Sequence, residues 1–370
     1  LYASGYNAAQ IDSIFKVSDF DKLLKDYIPR SSKNFYEKDN DEKYALTLPF
    51  DSWKVGIPYS YSKGLNIYGL INKLLHDKRY VRDFNELPIP FLCIATDIES
   101  GKEVILDKGY LTQAIMASAT FPSLFSPVVI DGKLLIDGGV VNNYPIDEVR
   151  KLGADVIIGV DVQDGLKSRK DLKNATRILV QISNMQMMDR MASKKERTDI
   201  YIKPDISDYT VISFSEGTEI IKKGEEASFT VYEKIKELGT NYKKPKHQLN
   251  ESKIDTLLIG EIQINSLKNY TRAYVMGKLG FRTGETITYD KLKVGIDNLN
   301  ATQNFSSMGY YFENKDGKDV LNLNLVENPT KTFLRFGLHY DDLYKSAILI
   351  NFTKKKALFK NDVASLDVIL

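Results

Sequence analysis

The sequence predicts an α/β domain, then a small α+β domain, then the first antiparallel strands of a β-barrel. Three observations predict it. Over the first ~210 residues, strand-like apolar runs alternate with helical periodicity. A polar, basic stretch at Asn241–Ser252 (NYKKPKHQLNES) breaks that pattern. From Lys331 the chain alternates strictly, with Leu334, Phe336, Leu338 and Tyr340 on one face and Arg335, Gly337 and His339 on the other.

The elements follow in order. Asn7 is placed to cap a helix over Ala8–Val17, with Ile11, Ile14 and Phe15 on one face. Tyr44–Pro49 is β-prone. Ser62–Tyr80 reads as a helix through Ile67, Leu70, Ile71, Leu74 and Leu75. Phe91–Thr96 reads as a buried strand, Leu111–Ala119 as a short helix and Leu134–Asp137 as a strand end. Pro145 suits the first position of a helix. Val156–Val162 is a continuous apolar run of the kind found in parallel sheets. Further helices cover Ala175–Ala192 and Ser215–Leu238.

Residues 1–240 are therefore expected to form one α/β domain with a mostly parallel sheet flanked by helices. Residues 241–253 read as a linker, whose charge run is a solvated connection. Residues 254–328 give the order β-α-α-β-β: Leu258–Leu267, Tyr270–Leu279, Tyr289–Leu299, Met308–Glu313 and Val320–Glu327. Residues 329–370 add strands at Lys331, Ser346–Thr353 and Ala364–Leu370. Three strands do not close a barrel, which needs about eight, so unpaired edges are expected. A soluble antiparallel sheet with one apolar face satisfies the same alternation.

Composition narrows the function. Hydrophobic residues make up 43%, enough for packed cores. Lys+Arg 51 against Asp+Glu 49 leaves a net charge of +2, which argues against a dedicated nucleic-acid binder. The one cysteine, Cys93, excludes an internal disulfide and reads as a core thiol. His76, His247 and His339 show no metal-ligand spacing. No apolar run reaches the ~18 residues of a membrane helix, a test that β-barrel strands escape. The start, Leu1-Tyr2-Ala3-Ser4-Gly5, resembles neither an initiator nor a signal peptide.

Two segments carry chemistry. One is Ser118-Ala119-Thr120-Phe121-Pro122-Ser123-Leu124-Phe125-Ser126-Pro127; the other is Asp137-Gly138-Gly139-Val140-Val141-Asn142-Asn143-Tyr144-Pro145. Asp-Gly-Gly alone is usually a turn. Here the apolar strand Leu134–Ile136 delivers the aspartate to its end, where α/β enzymes place working groups.

With the Ala95-Thr96-Asp97 to Gly101 stretch and the A-S-x-x-x-P-x-x-F-x-P stretch of Ala117–Pro127, the segment Ile89–Val162 resembles bacterial patatin-like phospholipases. Leu1–Tyr6 (LYASGY) resembles the end of that family's nucleophile helix, and the likeness extends over residues 1–215. It implies a Ser–Asp dyad acting on lipid acyl esters without cofactor or metal. Asp137 would be the general base, and Gly138, Gly139, Asn143, Ser118 and Pro122 would support the motif. A serine hydroxyl needs such a base to attack, and the oxyanion needs backbone donors.

The chain departs from the family in one respect. It holds no Gly-x-Ser-x-Gly, the elbow on which such a serine sits. No other serine is promoted in its place. The chain thus reads as a middle piece of a longer protein, inactive by itself.

Ile259–Glu327 resembles a POTRA module, through Gly280, Gly284, Leu299 and Phe305, and Lys331–Leu370 resembles the first strands of an Omp85-type barrel. The order of the parts resembles type Vd autotransporters. This implies the outer membrane of a Gram-negative bacterium, with the hydrolase domain periplasmic or surface-exposed. The expected partners are a phospholipid or other acyl ester and the outer membrane, with no nucleic acid; a homodimer is the oligomer left open. The alternative is a transport or assembly factor whose patatin domain is a non-catalytic passenger.

Overall fold

The computed structural model describes residues 1–51, 53–56, 60–163, 165–172, 175–210, 213–240, 255–342, 345–359 and 362–370. The expected linker at 241–253, and His247 in it, lie outside the described residues.

The chain opens with helices α1 (Ala8–Val17), α2 (Phe20–Leu24) and α3 (Phe35–Lys43), strands β1 (Leu46–Asp51) and β2 (Lys54–Val55), and helix α4 (Leu65–Leu74). Strands β3 (Cys93–Asp97) and β4 (Lys102–Leu106), helix α5 (Leu111–Ser118) and strands β5 (Val128–Ile130) and β6 (Lys133–Asp137) follow. Helix α6 (Ile146–Lys151), strand β7 (Ile158–Val160), helix α7 (Ala175–Glu196), strand β8 (Ile200–Ile202) and helices α8 (Gly217–Phe229) and α9 (Tyr232–Thr240) come next. Beyond the linker lie β9 (Thr256–Ile264), α10 (Arg272–Leu279), β10 (Thr286–Thr288), α11 (Tyr289–Ala301), β11 (Phe305–Lys315) and β12 (Lys318–Glu327). Strands β13 (Thr332–Asp341), β14 (Lys345–Lys355) and β15 (Val363–Ile369) end the chain.

Local chemistry sets most boundaries. Asn7 caps α1 in a full capping box with Gln10. Helix α4 starts later than the periodicity suggests, because Ser62 Oγ and the Lys63 N–H both donate to the Asp26 carboxylate and hold that stretch out of the helix. The expected helix over Ser215–Leu238 divides at Thr230, whose hydroxyl donates to the Ala227 carbonyl as the turn tightens.

Two compact units form: Leu1–Lys25 with Asn66–Glu251, and Asp26–Leu65 with Ser252–Leu370. The division cuts the expected 1–240 domain, since residues 26–65 pack with the C-terminal part.

In the first unit the sheet order is β4-β3-β6-β5, antiparallel throughout, and β7 pairs with β8 in parallel. The α/β class stands, but the pairing is less parallel than expected. The reason lies in two short connections. Asp131-Gly132, both at positive φ, form a two-residue hairpin between β5 and β6. The four residues 98–101 form a second short return, from β3 into β4. Only a long crossover yields a parallel neighbour. Helix α5 packs on this sheet around Leu75, Phe84, Leu87, Ala95, Leu106, Leu111, Ala114, Ala117 and Leu135.

In the second unit a four-stranded sheet of order β10-β9-β12-β11 carries α10 and α11. Strand β10 is an addition to the expected β-α-α-β-β. Leu257, Ile259, Ile262, Val275, Leu279, Leu292, Leu299, Phe305 and Leu321 are buried there. A second sheet has the order β15-β14-β13-β1-β2. The edge of β13 is therefore not free, as the sequence suggested; β1 occupies it, with Leu46↔Phe336 and Leu48↔Leu334.

One face of β13 and β14 buries polar side chains beside Phe333 and Leu349, while β15 is exposed along its whole length. Arg335, Asn351 and Thr353 are buried, while Leu338 is 84% and Leu366 63% exposed. Arg335 Nη1 donates to Asn351 Oδ1 (2.8 Å) and Thr353 Oγ1 (2.7 Å). Asn351 Nδ2 donates to Asp367 Oδ1 (2.5 Å), which also accepts from the Tyr44 hydroxyl (2.7 Å). Burial and the Asp367 carboxylate push the Tyr44 phenol up to about 12.

Candidate active site

Strand β6 is short and apolar, and its Leu135 and Ile136 are buried. Their burial fixes where the strand ends and so where Asp137 emerges. Asp137 pairs with Ala95 of β3 in the antiparallel register. Its carbonyl accepts from Thr96 Oγ1 (2.8 Å), and its N–H donates to the Thr120 carbonyl (2.9 Å). Thr96 belongs to the Ala-Thr-Asp stretch and Thr120 to the loop after α5. All three motif stretches therefore meet on the backbone of one residue.

The carboxylate is oriented by its own turn. Asp137 Oδ1 accepts from the Gly139 N–H at 2.7 Å. Burial pushes its pKa above the ordinary carboxylate value, and the Gly139 hydrogen bond draws it partly back. Among the described residues no serine hydroxyl hydrogen-bonds to it.

The two glycines have different reasons. A Cβ at Gly138 would overlap the Ile94 carbonyl, 2.5 Å from its carbon and 2.9 Å from the Ile94 Cβ. Only glycine lets the turn press against β3. A Cβ at Gly139 would stand 2.9 Å from both Asn143 Oδ1 and Asp137 Oδ1, crowding the carboxylate itself. Asn143 is exposed and faces this turn.

The other candidate residues have these surroundings. Ser118 ends α5, half-buried, and bonds to Cys93 rather than to Asp137. Burial pushes the Cys93 thiol up to about 12, so it carries no thiolate chemistry near neutral pH. Pro122 is half-buried in the loop that ends on buried Phe125. Pro145 caps α6 from the N-cap position, one residue before the helix proper. Asp97 is a turn staple: it accepts from Ser100 Oγ (2.6 Å) and the Glu99 N–H (3.1 Å), and the Ser100 bond holds its pKa low. Leu1–Tyr6 forms a 3-10 turn at Tyr2–Ser4 that closes on left-handed Gly5, as a helix end would.

Sequence reasoning missed a polar cluster beside the turn. Asn142 Nδ2 donates to Glu103 Oε2 (3.1 Å) and Glu148 Oε2 (3.2 Å), and Lys194 Nζ donates to Asn142 Oδ1 (2.6 Å). It also missed Thr96 and Thr120 as the clamp on Asp137. Their motif spacing was visible, but the pairing that brings them together was not.

Among the described residues, no group of three or more His, Cys, Asp or Glu could hold a metal ion.

Residues 1–150 match the family model of patatin-like phospholipases, and residues 319–370 match that of the OMP85 superfamily. The chain is 25% identical over 255 residues to lysophospholipase NTE1 of Meyerozyma guilliermondii, covering 60% of this chain and 16% of the relative. It is 26% identical over 204 residues to lysophospholipase NTE1 of Saccharomyces cerevisiae, 48% of this chain and 11% of the relative. An NTE family protein of Mycobacterium tuberculosis is 39% identical over 77 residues, 21% of each chain. The chain thus spans between 11% and 21% of the length of these relatives. The two matches, to patatin-like phospholipases and to the OMP85 superfamily, fall at its two ends.

Proposed function

We propose that the protein is a lipid acyl hydrolase of the Ser–Asp type with Asp137 as its general base. The supporting observation is a half-buried carboxylate with raised pKa, clamped by Thr96 and Thr120 and aimed by the Gly139 N–H. In this reading Asp137 Oδ1 is occupied by Gly139, so Oδ2 accepts the serine proton. The serine oxygen then bonds to the acyl carbon, the bond from that carbon to the alcohol oxygen breaks, and the protonated carboxyl gives its proton to the departing alcohol. Water, passing a proton to Asp137, then attacks the acyl-serine, releasing the acid as the serine oxygen takes the proton back. Burial helps both steps, since a carboxylate at its ordinary pKa is a poor base near neutral pH.

The nucleophile belongs to a Gly-x-Ser-x-Gly segment that the 370 residues do not contain. By itself the 370-residue chain is therefore expected to be inactive. Similarity to lysophospholipases supports a phospholipid or related acyl ester as substrate. Gly138, Gly139, Asn143, Ser118 and Pro122 support the turn and the loop behind it.

The OMP85 match supports a tether to the outer membrane of a Gram-negative bacterium, with the hydrolase domain periplasmic or at the surface. Residues 254–328 would serve as a POTRA-like module and residues 329–370 as the first barrel strands, in the manner of type Vd autotransporters. A homodimer is the oligomeric state to test.

Asp137→Asn in the full-length protein keeps the shape but accepts no proton. Hydrolysis of a fluorescent phospholipid should fall by about a hundredfold or more. Near-normal turnover would refute the role given to Asp137 and favour a non-catalytic passenger.

A further inference from the structure

The chain passes between its two units three times: after Lys25, after Leu65 and after Glu251. The first two passages bracket residues 26–65. These lie inside the stretch that matches patatin-like phospholipases, yet they belong to the second unit.

The excursion is tied on both sides of its neck. In the first unit Asn66 Nδ2 donates to the Lys22 and Lys25 carbonyls, both at 3.1 Å. In the second, Asp26 Oδ1 accepts from Ser62 Oγ (2.9 Å) and Asp26 Oδ2 from the Lys63 N–H (2.6 Å). Ser62 is buried, and its Oγ accepts in turn from the Gly64 N–H (2.9 Å). A loop pinched at its base has already lost much of the freedom that docking would otherwise remove.

From that base one cation reaches the part of the second unit formed by residues 254–328. Lys63 Nζ donates to Asn300 Oδ1 and to the Phe305 carbonyl, both at 2.9 Å. Asn300 stands in the last turn of α11 and Phe305 opens β11, and both are buried. The C-terminal end of a helix favours a positive charge. Burial lowers the Lys63 pKa, and the Asp26 carboxylate draws it partly back. The 3-10 turn Arg30–Ser32 also packs against α11. These contacts involve α11 and β11, and none of them the edge of β13.

We propose that residues 26–65 are a clasp through which the patatin-like part of the chain grips residues 254–328, so that cutting the 241–253 stretch does not separate the two. A polar, basic connection of that kind is where proteases nick a chain. The clasp keeps the hydrolase-like part in place after such a cut, whatever the role of Asp137.

The test reads retention alone. A site for a sequence-specific protease is inserted within 241–253 of the full-length protein, which carries a C-terminal affinity tag. The protein is cut in detergent solution and held by its tag, and loss of the N-terminal fragment is followed during washing. The wild-type fragment should stay bound. Lys63→Met keeps the bulk of the side chain but gives Asn300 Oδ1 and the Phe305 carbonyl no donor, and should speed the loss by about tenfold or more. Asn300→Ala removes one acceptor from the other side and should speed it less, so one misfolded variant does not decide the result. Thr47→Pro breaks the pairing of β1 and should leave the loss unchanged. Faster loss in Lys63→Met or Asn300→Ala but not in Thr47→Pro supports the clasp. Prompt release of the cut wild type overturns it. Wild-type retention of both Lys63→Met and Asn300→Ala overturns it too, since the grip then lies elsewhere. Loss in Thr47→Pro as fast as in Lys63→Met moves the grip to β1 and overturns the assignment to Lys63.

Discussion

Replacing Gly138 by alanine should destabilise the first unit far more than the same change at Gly139, although the two are neighbours. The methyl at 138 would overlap the Ile94 carbonyl, whose carbon would be 2.5 Å away. That carbonyl belongs to β3, paired on one side through Ile94↔Ile105 and on the other through Ala95↔Asp137. No rotamer change relieves such a clash. The strands must part, weakening the Thr96 and Thr120 bonds to Asp137. Overpacking costs about 1–3 kcal/mol, and each weakened bond adds roughly 1 kcal/mol or less, so about 3 kcal/mol is expected. At 139 the methyl meets side-chain atoms of Asn143 and Asp137 at 2.9 Å, and exposed Asn143 can turn away. That cost should stay near ~1 kcal/mol. Cys93, the one thiol, is packed against the core cluster of this unit and reports its opening. Its labelling by an aromatic disulfide should accelerate about a hundredfold in Gly138→Ala and less than about tenfold in Gly139→Ala. Equal acceleration in the two variants would refute the reasoning.

Asp137→Asn should leave the first unit as stable as wild type or more so at neutral pH. The raised pKa means that the ionised form is the costly one, a cost fully present above the folded value and absent when the carboxyl is protonated. A clear drop in its thermal midpoint would count against a desolvated carboxylate. Lys355 gives the opposite sign in the second unit. Burial lowers its pKa from 10.5 to about 8, so the charged form is disfavoured and stability should rise between those values. Lys355→Met should lack that rise in a pH series of urea melts; an unchanged series would mean that another group titrates. Arg335→Ala removes two hydrogen bonds, to Asn351 Oδ1 and Thr353 Oγ1, which keep only each other and Ser365 as hydroxyl partners, and should cost the second unit about 2 kcal/mol. Limited proteolysis should then cut within 332–370 several-fold faster in detergent solution, and wild-type resistance would contradict a structural network.

Much of the fold was legible because its signals are local. The Asn7 cap, the 3.6-residue periodicity of α5 and α11 and the alternation of β13–β15 each need only a few neighbouring residues. The frame of the candidate site was legible for the same reason, since an apolar strand ending in Asp-Gly-Gly is local and β6 does end at Asp137. Pairing was not legible. Ala95↔Asp137 joins residues distant in sequence, and the clamp by Thr96 and Thr120 exists only through it. The cluster of Asn142, Glu103, Glu148 and Lys194 has no motif, because its members come from separate elements. The partner of Tyr44–Pro49 was out of reach too. Its β propensity is plain, but a strand carries no label for the edge it joins, and β13 lies far along the chain. Domain boundaries drawn along the sequence could not show that residues 26–65 pack with the second unit.

The central claim is that Asp137 activates a serine, and the labelling rate of that serine tests it most directly. A fluorophosphonate bonds covalently only to an activated serine hydroxyl, so it reads the proton-accepting step apart from substrate binding and release. The full-length protein should be labelled at the serine of a Gly-x-Ser-x-Gly segment, and Asp137→Asn should slow that labelling about a hundredfold or more. The 370-residue chain should take up no label. Labelling of Asp137→Asn at the wild-type rate, or Asp137-dependent labelling of a serine within residues 1–370, would contradict the account.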